Sequence, residues 1–401
     1  MIVKNKLTFI ATLLAVQSIL MGEIEVNSYL SIKGFVDMSY VHYDEEINPV
    51  GGSQNNDKEN LFRIDEIEVS WLFKFESLSA QLDIEYEEDG DDLEIEQAFA
   101  IFSFDSELEG SAITAGRYAS MLGFEAYEPT GLYQYSTAYG GNALNNLLAS
   151  AVNQSVTHMS SFDTKVPVFF EAAFFPISER YSQGIKYTYD KNGNFLGISI
   201  QDSTVNYENR FGGKNDSDST PIDDGGYSVE VAYTYSLGYE LKLFLGGAYE
   251  SGNGLNTPGN TTGYSEAYML NTYLTLELGA LLFAAEFNFS ETNVDEVSIL
   301  SSLDTQIESI GGFFMTNYVY HETASLTGRI SYVGLENTVE GSFGNSFSAD
   351  VFKYTLAHNY ALKENFLLIT ELSYTEGEFK AADADGNVDE LLVAAEILVT
   401  F

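Results

Sequence analysis

The 401-residue chain has four histidines, His42, His158, His321 and His358, and no cysteine. Their wide spacing matches no zinc-binding pattern, and no Walker loop or Rossmann glycine signature accompanies them. His158, Ser160 and Asp163 are neighbours in the chain, but a nucleophile, base and orienting acid must meet in space. They leave a barrel hydrolase only as an alternative reading. The stretch Asp383 to Glu390, DADGNVDE, offers carboxylate ligands but lacks the sixth-position glycine and distal glutamate of a calcium loop. It and Asp216 to Asp224 suit loose Ca²⁺ or Mg²⁺ association near lipopolysaccharide. No cofactor is expected.

What remains is electrostatic chemistry. Single charges stand at alternate positions within apolar stretches: Lys33, Asp37, Glu68, Lys74, Asp83, Glu85, Lys186, Glu230, Glu286, Arg329 and Glu371. Charges on one face of a strand can line a wet passage and sort solutes. Arg117 facing Glu125 and Glu128 would set a transverse field. Tyr118, Tyr127, Tyr133, Tyr135 and Tyr139 offer ring faces for a sugar, or pack a loop. The net charge of -42 excludes nucleic acid as a partner and favours cations or neutral solutes, such as sugars, over anions.

The elements that must position these residues follow from period-two alternation. In YSVEVAYTY, Tyr227, Val229, Val231, Tyr233 and Tyr235 share one face, opposed by Ser228, Glu230, Ala232 and Thr234. About sixteen such segments run from 29–43 to 388–401, each long enough for a tilted strand to cross a bilayer. Short connections such as KNGN (Lys191 to Asn194) alternate with longer polar ones: 44–60, 206–225, 252–263, 292–306, 336–345 and 376–387. Every backbone amide needs a partner in lipid, so such strands must close on themselves. The expected fold is all-β: a transmembrane antiparallel barrel of sixteen strands, or eighteen as the alternative, with short periplasmic turns and long extracellular loops. Residues 1–22, with Lys4 and Lys6 before an apolar run, read as a signal peptide. Residues 23–401 read as one outer-membrane domain. Within it, 121–180 is too long for a plain connection, and reads as an inward-folded constriction loop or an extra hairpin.

The chain resembles the general and substrate-selective outer-membrane porins. The resemblance rests on the leader, the strand rhythm, the large connection after the fifth strand, and a last strand, VDELLVAAEILVTF, ending at Phe401. AGRYASMLGFE, Ala115 to Glu125, is similar to the strand-to-constriction-loop junction of carbohydrate- and phosphate-selective porins. The scarcity of basic residues departs from the phosphate-selective members. The resemblance implies passive diffusion of small hydrophilic solutes through a water-filled channel, with no catalysis. It also implies a homotrimer, and recognition of the Phe401 strand by the barrel-insertion machinery. The structural alternative is an adhesive barrel plugged by its own long connection.

Overall fold

The computed structural model describes residues 22–49, 55–87, 93–105, 108–125, 129–139, 181–202, 227–238, 240–253, 264–297, 302–340, 346–381 and 384–401. The leader up to residue 21, Tyr127, Glu128, the His158–Ser160–Asp163 group, the alternative hairpin within 152–175, and Asp216 to Asp224 lie outside them.

A short strand β1 (Ile24–Asn27) precedes β2 (Leu30–Pro49), β3 (Asn55–Phe75), β4 (Leu78–Glu87), β5 (Leu93–Ser103) and β6 (Ser111–Ala119). There follow β7 (Tyr181–Lys191), β8 (Asn194–Asp202), β9 (Tyr227–Leu237), β10 (Leu241–Asn253), β11 (Tyr264–Leu278) and β12 (Leu281–Val297). The last five are β13 (Ser302–His321), β14 (Ala324–Glu340), β15 (Phe347–Lys363), β16 (Phe366–Ala381) and β17 (Ala384–Thr400). Each strand from β2 onward pairs antiparallel with the next, and β17 pairs back onto β2. The result is a closed sixteen-strand barrel with β1 as one extra strand. Closure leaves no row of unpaired amides, which is what lipid demands.

The seam is built from both chain ends. β17 covers β2 from Phe35 to Pro49, and β1 takes up the same edge from Leu30 to Ile32. Phe401 and Gly34 exchange two backbone hydrogen bonds of 2.9 Å. A Cβ on Gly34 would come within 2.4 Å of the Glu68 carbonyl and 2.6 Å of the Phe401 ring. Only glycine fits there.

The barrel is apolar outside and polar within. In β9, Ser228, Glu230 and Ala232 are fully shielded, while Tyr227, Val231, Tyr233 and Tyr235 are exposed. Elsewhere the outer band includes Ile200, Leu270, Phe314, Ile330 and Leu372. In β17 the face of Leu391, Val393, Ala395, Ile397 and Val399 points out, and Glu390, Ala394, Glu396 and Leu398 are buried inside. Near the long-loop ends, outward tyrosines donate to a carboxylate on the next strand. Tyr249 reaches Glu266 at 2.9 Å, Tyr332 reaches Asp350 at 2.6 Å and Tyr374 reaches Asp389 at 2.5 Å. Such a belt of amphipathic rings belongs at a lipid–water boundary.

Several expected loops are strand. Residues 44–49 and 55–60 extend the β2–β3 hairpin, and 336–340 extends β14. Most of 292–306 and 376–387 likewise prolongs the hairpins β12–β13 and β16–β17. Hydropathy reads these polar stretches as loops, yet cross-strand hydrogen bonding does not depend on lipophilicity. Tyr43 donates to Glu59 at 2.6 Å there, and Lys58 pairs with Asp44. Asp385 to Glu390, the larger part of the calcium-like stretch, is ladder-paired in β17, which denies it a loop's geometry. Among the described residues no group of acidic or histidine side chains has a metal-holding arrangement.

Candidate functional site: the inserted segment and the lumen wall

The chain leaves β6 and turns inward instead of outward. Residues 120–125 and 129–139 lie across the lumen, held by the wall that the alternation had marked as charged. Ser120 Oγ and the Met121 amide donate to Glu230 at 2.7 and 3.2 Å. The Gly123 amide donates to Asn271 at 3.0 Å, and the Phe124 amide to Glu286 at 3.0 Å. Further on, the Ser136 amide donates to Glu371 at 3.0 Å, and Tyr135 Oη donates to Asp65 at 3.2 Å. These partners span β9, β11, β12, β16 and β3. The segment therefore reaches most of the way around the bore.

Glu125 organises the segment's centre. It accepts from Gln134 Nε2 at 2.6 Å and from the Ala138 amide at 2.7 Å, and it pairs with Arg329. Arg329 is fully shielded and also donates to the Ser136 and Thr137 carbonyls, each at 2.9 Å. Lys353 on the neighbouring strand adds a 3.1 Å bond to the Thr137 carbonyl. Tyr133's carbonyl accepts from Thr327 at 3.2 Å and Asn359 at 3.0 Å. Charge-assisted bonds to a carboxylate and a fork-shaped guanidinium are the strongest such anchors. Tyr139 donates to Glu286 at 3.2 Å, and burial, then the Glu286 and Glu125 charges, hold its hydroxyl well above the ordinary range.

Apolar contacts complete the seating. Leu122 packs with Phe244, Ala232, Ala248, Ala267 and Met269. Ala138, Phe124, Tyr133 and Tyr139 pack on Leu282, Ala284, Phe313 and Met315. Phe124 lies 5.7 Å from Phe313 and 5.6 Å from Tyr273, centroid to centroid. Tyr135 rests on Phe35, Leu367, Ile369 and Leu398. Of these, Tyr133, Tyr135 and Tyr139 stood among the candidates, whereas the inward-facing apolar residues of the wall, such as Phe244, Phe313 and Met315, did not. Their signal was consecutive apolar positions inside otherwise alternating strands, as in Phe313, Phe314 and Met315.

Glu125, Glu230, Glu286, Arg329 and Glu371 thus come together through the segment. Lys186 points inward, bonds to the Ala119 carbonyl at 3.2 Å, and lies 4.4 Å over the buried Tyr118 ring. It fixes the corner where strand becomes segment. Arg117 does not join them. Thr114, Gly116 and Tyr118 take the inner face of β6, so Arg117 shares the outer face with Ile113 and Ala115. Its register partners are Ala98 and Gln183. Small residues on both faces of AGRYA had hidden the alternation, and the expectation that Arg117 faces the constriction is corrected.

The remaining candidates, Lys33, Asp37, Glu68, Lys74, Asp83 and Glu85, lie on β2, β3 and β4, away from most of the segment's anchors. Two β-bulges enrich this wall. Asp37 faces Glu66 while Met38 faces Ile64, leaving Asp65 as the extra residue. Asp83 faces Gln97 while Ile84 faces Ile95, leaving Glu96 extra. A bulge re-aims side chains without ending the pairing. It also explains the irregular alternation of Leu93 to Phe104. A cavity against this wall is lined by Lys33, Glu68, Gln81, Asp83 and Gln97, with Thr130 of the segment opposite.

The family model described as "Putative beta-barrel porin-2, OmpL-like" matches residues 29–401. Among solved structures, the anion-selective porin of Comamonas acidovorans superposes with a TM-score of 0.53 at 11% identity, covering 93% of this chain and 99% of that one. The outer membrane channel DcaP of Acinetobacter baumannii gives 0.53 at 10% identity, over 93% and 97%. Vibrio cholerae OmpT gives 0.52 at 13%, over 94% and 100%. At such identities the likeness is one of fold. No curated protein matches the sequence.

Proposed function

We propose a diffusion channel, starting from the premise that this chain belongs to the OmpL-like beta-barrel porin-2 family and is an outer-membrane porin-type barrel. The channel admits small hydrophilic solutes passively and performs no catalysis. The observation that carries this is the inserted segment. A lumen whose wall charges are spent on holding one chain segment across the bore is built to set a width. The acidic composition favours cations and neutral solutes such as sugars. The anion selectivity named for the Comamonas porin is not carried over, because 60 acidic residues face only 18 basic ones here.

The porin resemblance extends the proposal to a homotrimer, checked by light scattering in detergent, and to recognition of the Phe401 strand during insertion. Planar-bilayer recording tests the channel itself. Discrete conductance steps, with liposomes swelling in small sugars, are the expected result. The segment's reach from β9 to β3 also favours a second reading, a barrel closed by its own chain. Silent bilayers with correctly folded protein would select that one.

A further inference from the structure

One cross-strand row of the lumen wall is kept small. Gly197 on β8 faces Ala232 on β9, and Ala232 faces Gly246 on β10. Gly246 faces Asn271 on β11, Asn271 faces Asn288 on β12, and Asn288 faces Gly311 on β13. All six positions lie on the inner face. The next row toward the periplasmic turns is large instead, with Phe195, Phe244, Tyr273 and Phe313 in register across the same strands. The Phe244 and Tyr273 rings stack 4.4 Å apart with planes 4° from parallel. The wall therefore carries a trough with an aromatic shelf beneath it.

The inserted segment lies in this trough. Met121 Sδ occupies the space that a Cβ on Gly197 would need, and a Cβ on Gly246 would come within 2.5 Å of Leu122 Cδ2. The Gly123 amide donates to Asn271 Oδ1, the next position of the row. Asn288 Nδ2 donates to Tyr139 Oη at 3.0 Å, and the Tyr139 ring covers Gly311, 3.2 Å from where a Cβ would stand. Phe124 rests on the shelf against Tyr273 and Phe313. Hydrogen bonds and ion pairs draw the segment to the wall, but close-packed side chains cannot share volume. Steric contact along the trough therefore fixes how near it comes.

We infer that this row sets the depth at which the segment is seated and so the width of the passage left beside it, with Gly197, Gly246 and Gly311 as positioning residues. The carboxylates and Arg329 hold the segment; the glycines say where. Uncharged solutes such as small sugars are then sorted by cross-section, which wall charge cannot do. The inference rests on the channel reading and assigns that channel's size limit to named residues.

The test combines single-channel conductance of the full barrel with uptake of sugars of increasing size into proteoliposomes. Gly246→Val and Gly311→Val should each change conductance by about twofold or more, because pore width governs conduction, with circular dichroism like wild type. Gly311→Val serves if Gly246→Val fails to fold, since the three nearest neighbours of its Cβ would all be Tyr139 ring atoms. Adding Leu122→Ala to Gly246→Val removes as many carbons as valine brings, and should return conductance toward wild type. Gly328→Val, on the outer face of β14 where a Cβ meets nothing within 4 Å, should leave it unchanged. One readout needs no current. The chain has no cysteine, so Leu122→Cys carries a single thiol, which should resist a water-soluble maleimide in the folded barrel and react after denaturation. A folded valine variant with unaltered conductance and sugar limit would overturn the inference and leave the channel standing. So would a double variant no closer to wild type than the single, or a freely reactive thiol at position 122 in the folded barrel. Absence of any conductance in wild type would instead remove the channel reading, and the labelling would still judge the seat.

Discussion

Arg329 is the residue whose loss should most clearly separate the barrel from its contents. Replacement by alanine removes the partner of Glu125 and two donors to the Ser136 and Thr137 carbonyls. Breaking a buried pair by deleting one member costs about 3–5 kcal/mol. Glu125 keeps 13% exposure, and Lys353 still holds Thr137, so the lower end, about 3 kcal/mol, applies. At about 1.4 kcal/mol per tenfold change, detachment of the central segment becomes roughly a hundredfold more frequent. The ladder hydrogen bonds do not involve Arg329's side chain, so the barrel itself should stay closed. Single-channel recordings should show larger and noisier openings, with a far-ultraviolet dichroism spectrum and melting profile close to wild type. Arg329→Lys keeps the charge but loses the two-pronged geometry, and should fall between the two. Identical conductance and noise in wild type and Arg329→Ala would refute the idea that this anchor holds the segment.

Lys186→Ala should alter conductance more than Arg117→Ala, because Lys186 ties the β6 exit through Ala119 while Arg117 faces outward; equal recordings would contradict the register. Gly34→Val should prevent seam closure, since its Cβ would strike the Glu68 carbonyl and the Phe401 ring. Loss of the folded, heat-resistant band on unboiled gels would show it, and normal folding would refute it.

How much of this was legible in the sequence depended on whether a residue's environment repeats. Strand existence, the sixteen-fold count and the outer face of β17 all follow from period-two patterning, because lipid imposes the same rule on every strand. Strand ends were misread where polar side chains project beyond the bilayer and hydropathy stops reporting. The two bulges were invisible as such. One extra residue shifts parity, and in Leu93 to Phe104 that shift reads only as disorder in the pattern. The lumen carboxylates were found, but their partners were not. Glu230, Glu286 and Glu371 look like hydrated wall until a segment more than a hundred residues away along the chain presents amides to them. No local signal encodes that meeting. The apolar residues inside the lumen, such as Phe313 and Met315, were the nearest thing to one.

The two-part edge beside β2 has a consequence for biogenesis. One edge of β2 is satisfied only when β17, the strand farthest from it along the chain, has formed beside it. Until then its amides form an unguarded template for any neighbouring chain. A nascent barrel of this design therefore passes through a stage in which every strand is paired except along the facing edges of β2 and β17. Losing Thr400 and Phe401, which close the β2 edge at Phe35 and Gly34, would prolong that stage far more than the same loss from a loop, making such forms prone to clumping or destruction before they ever reach lipid.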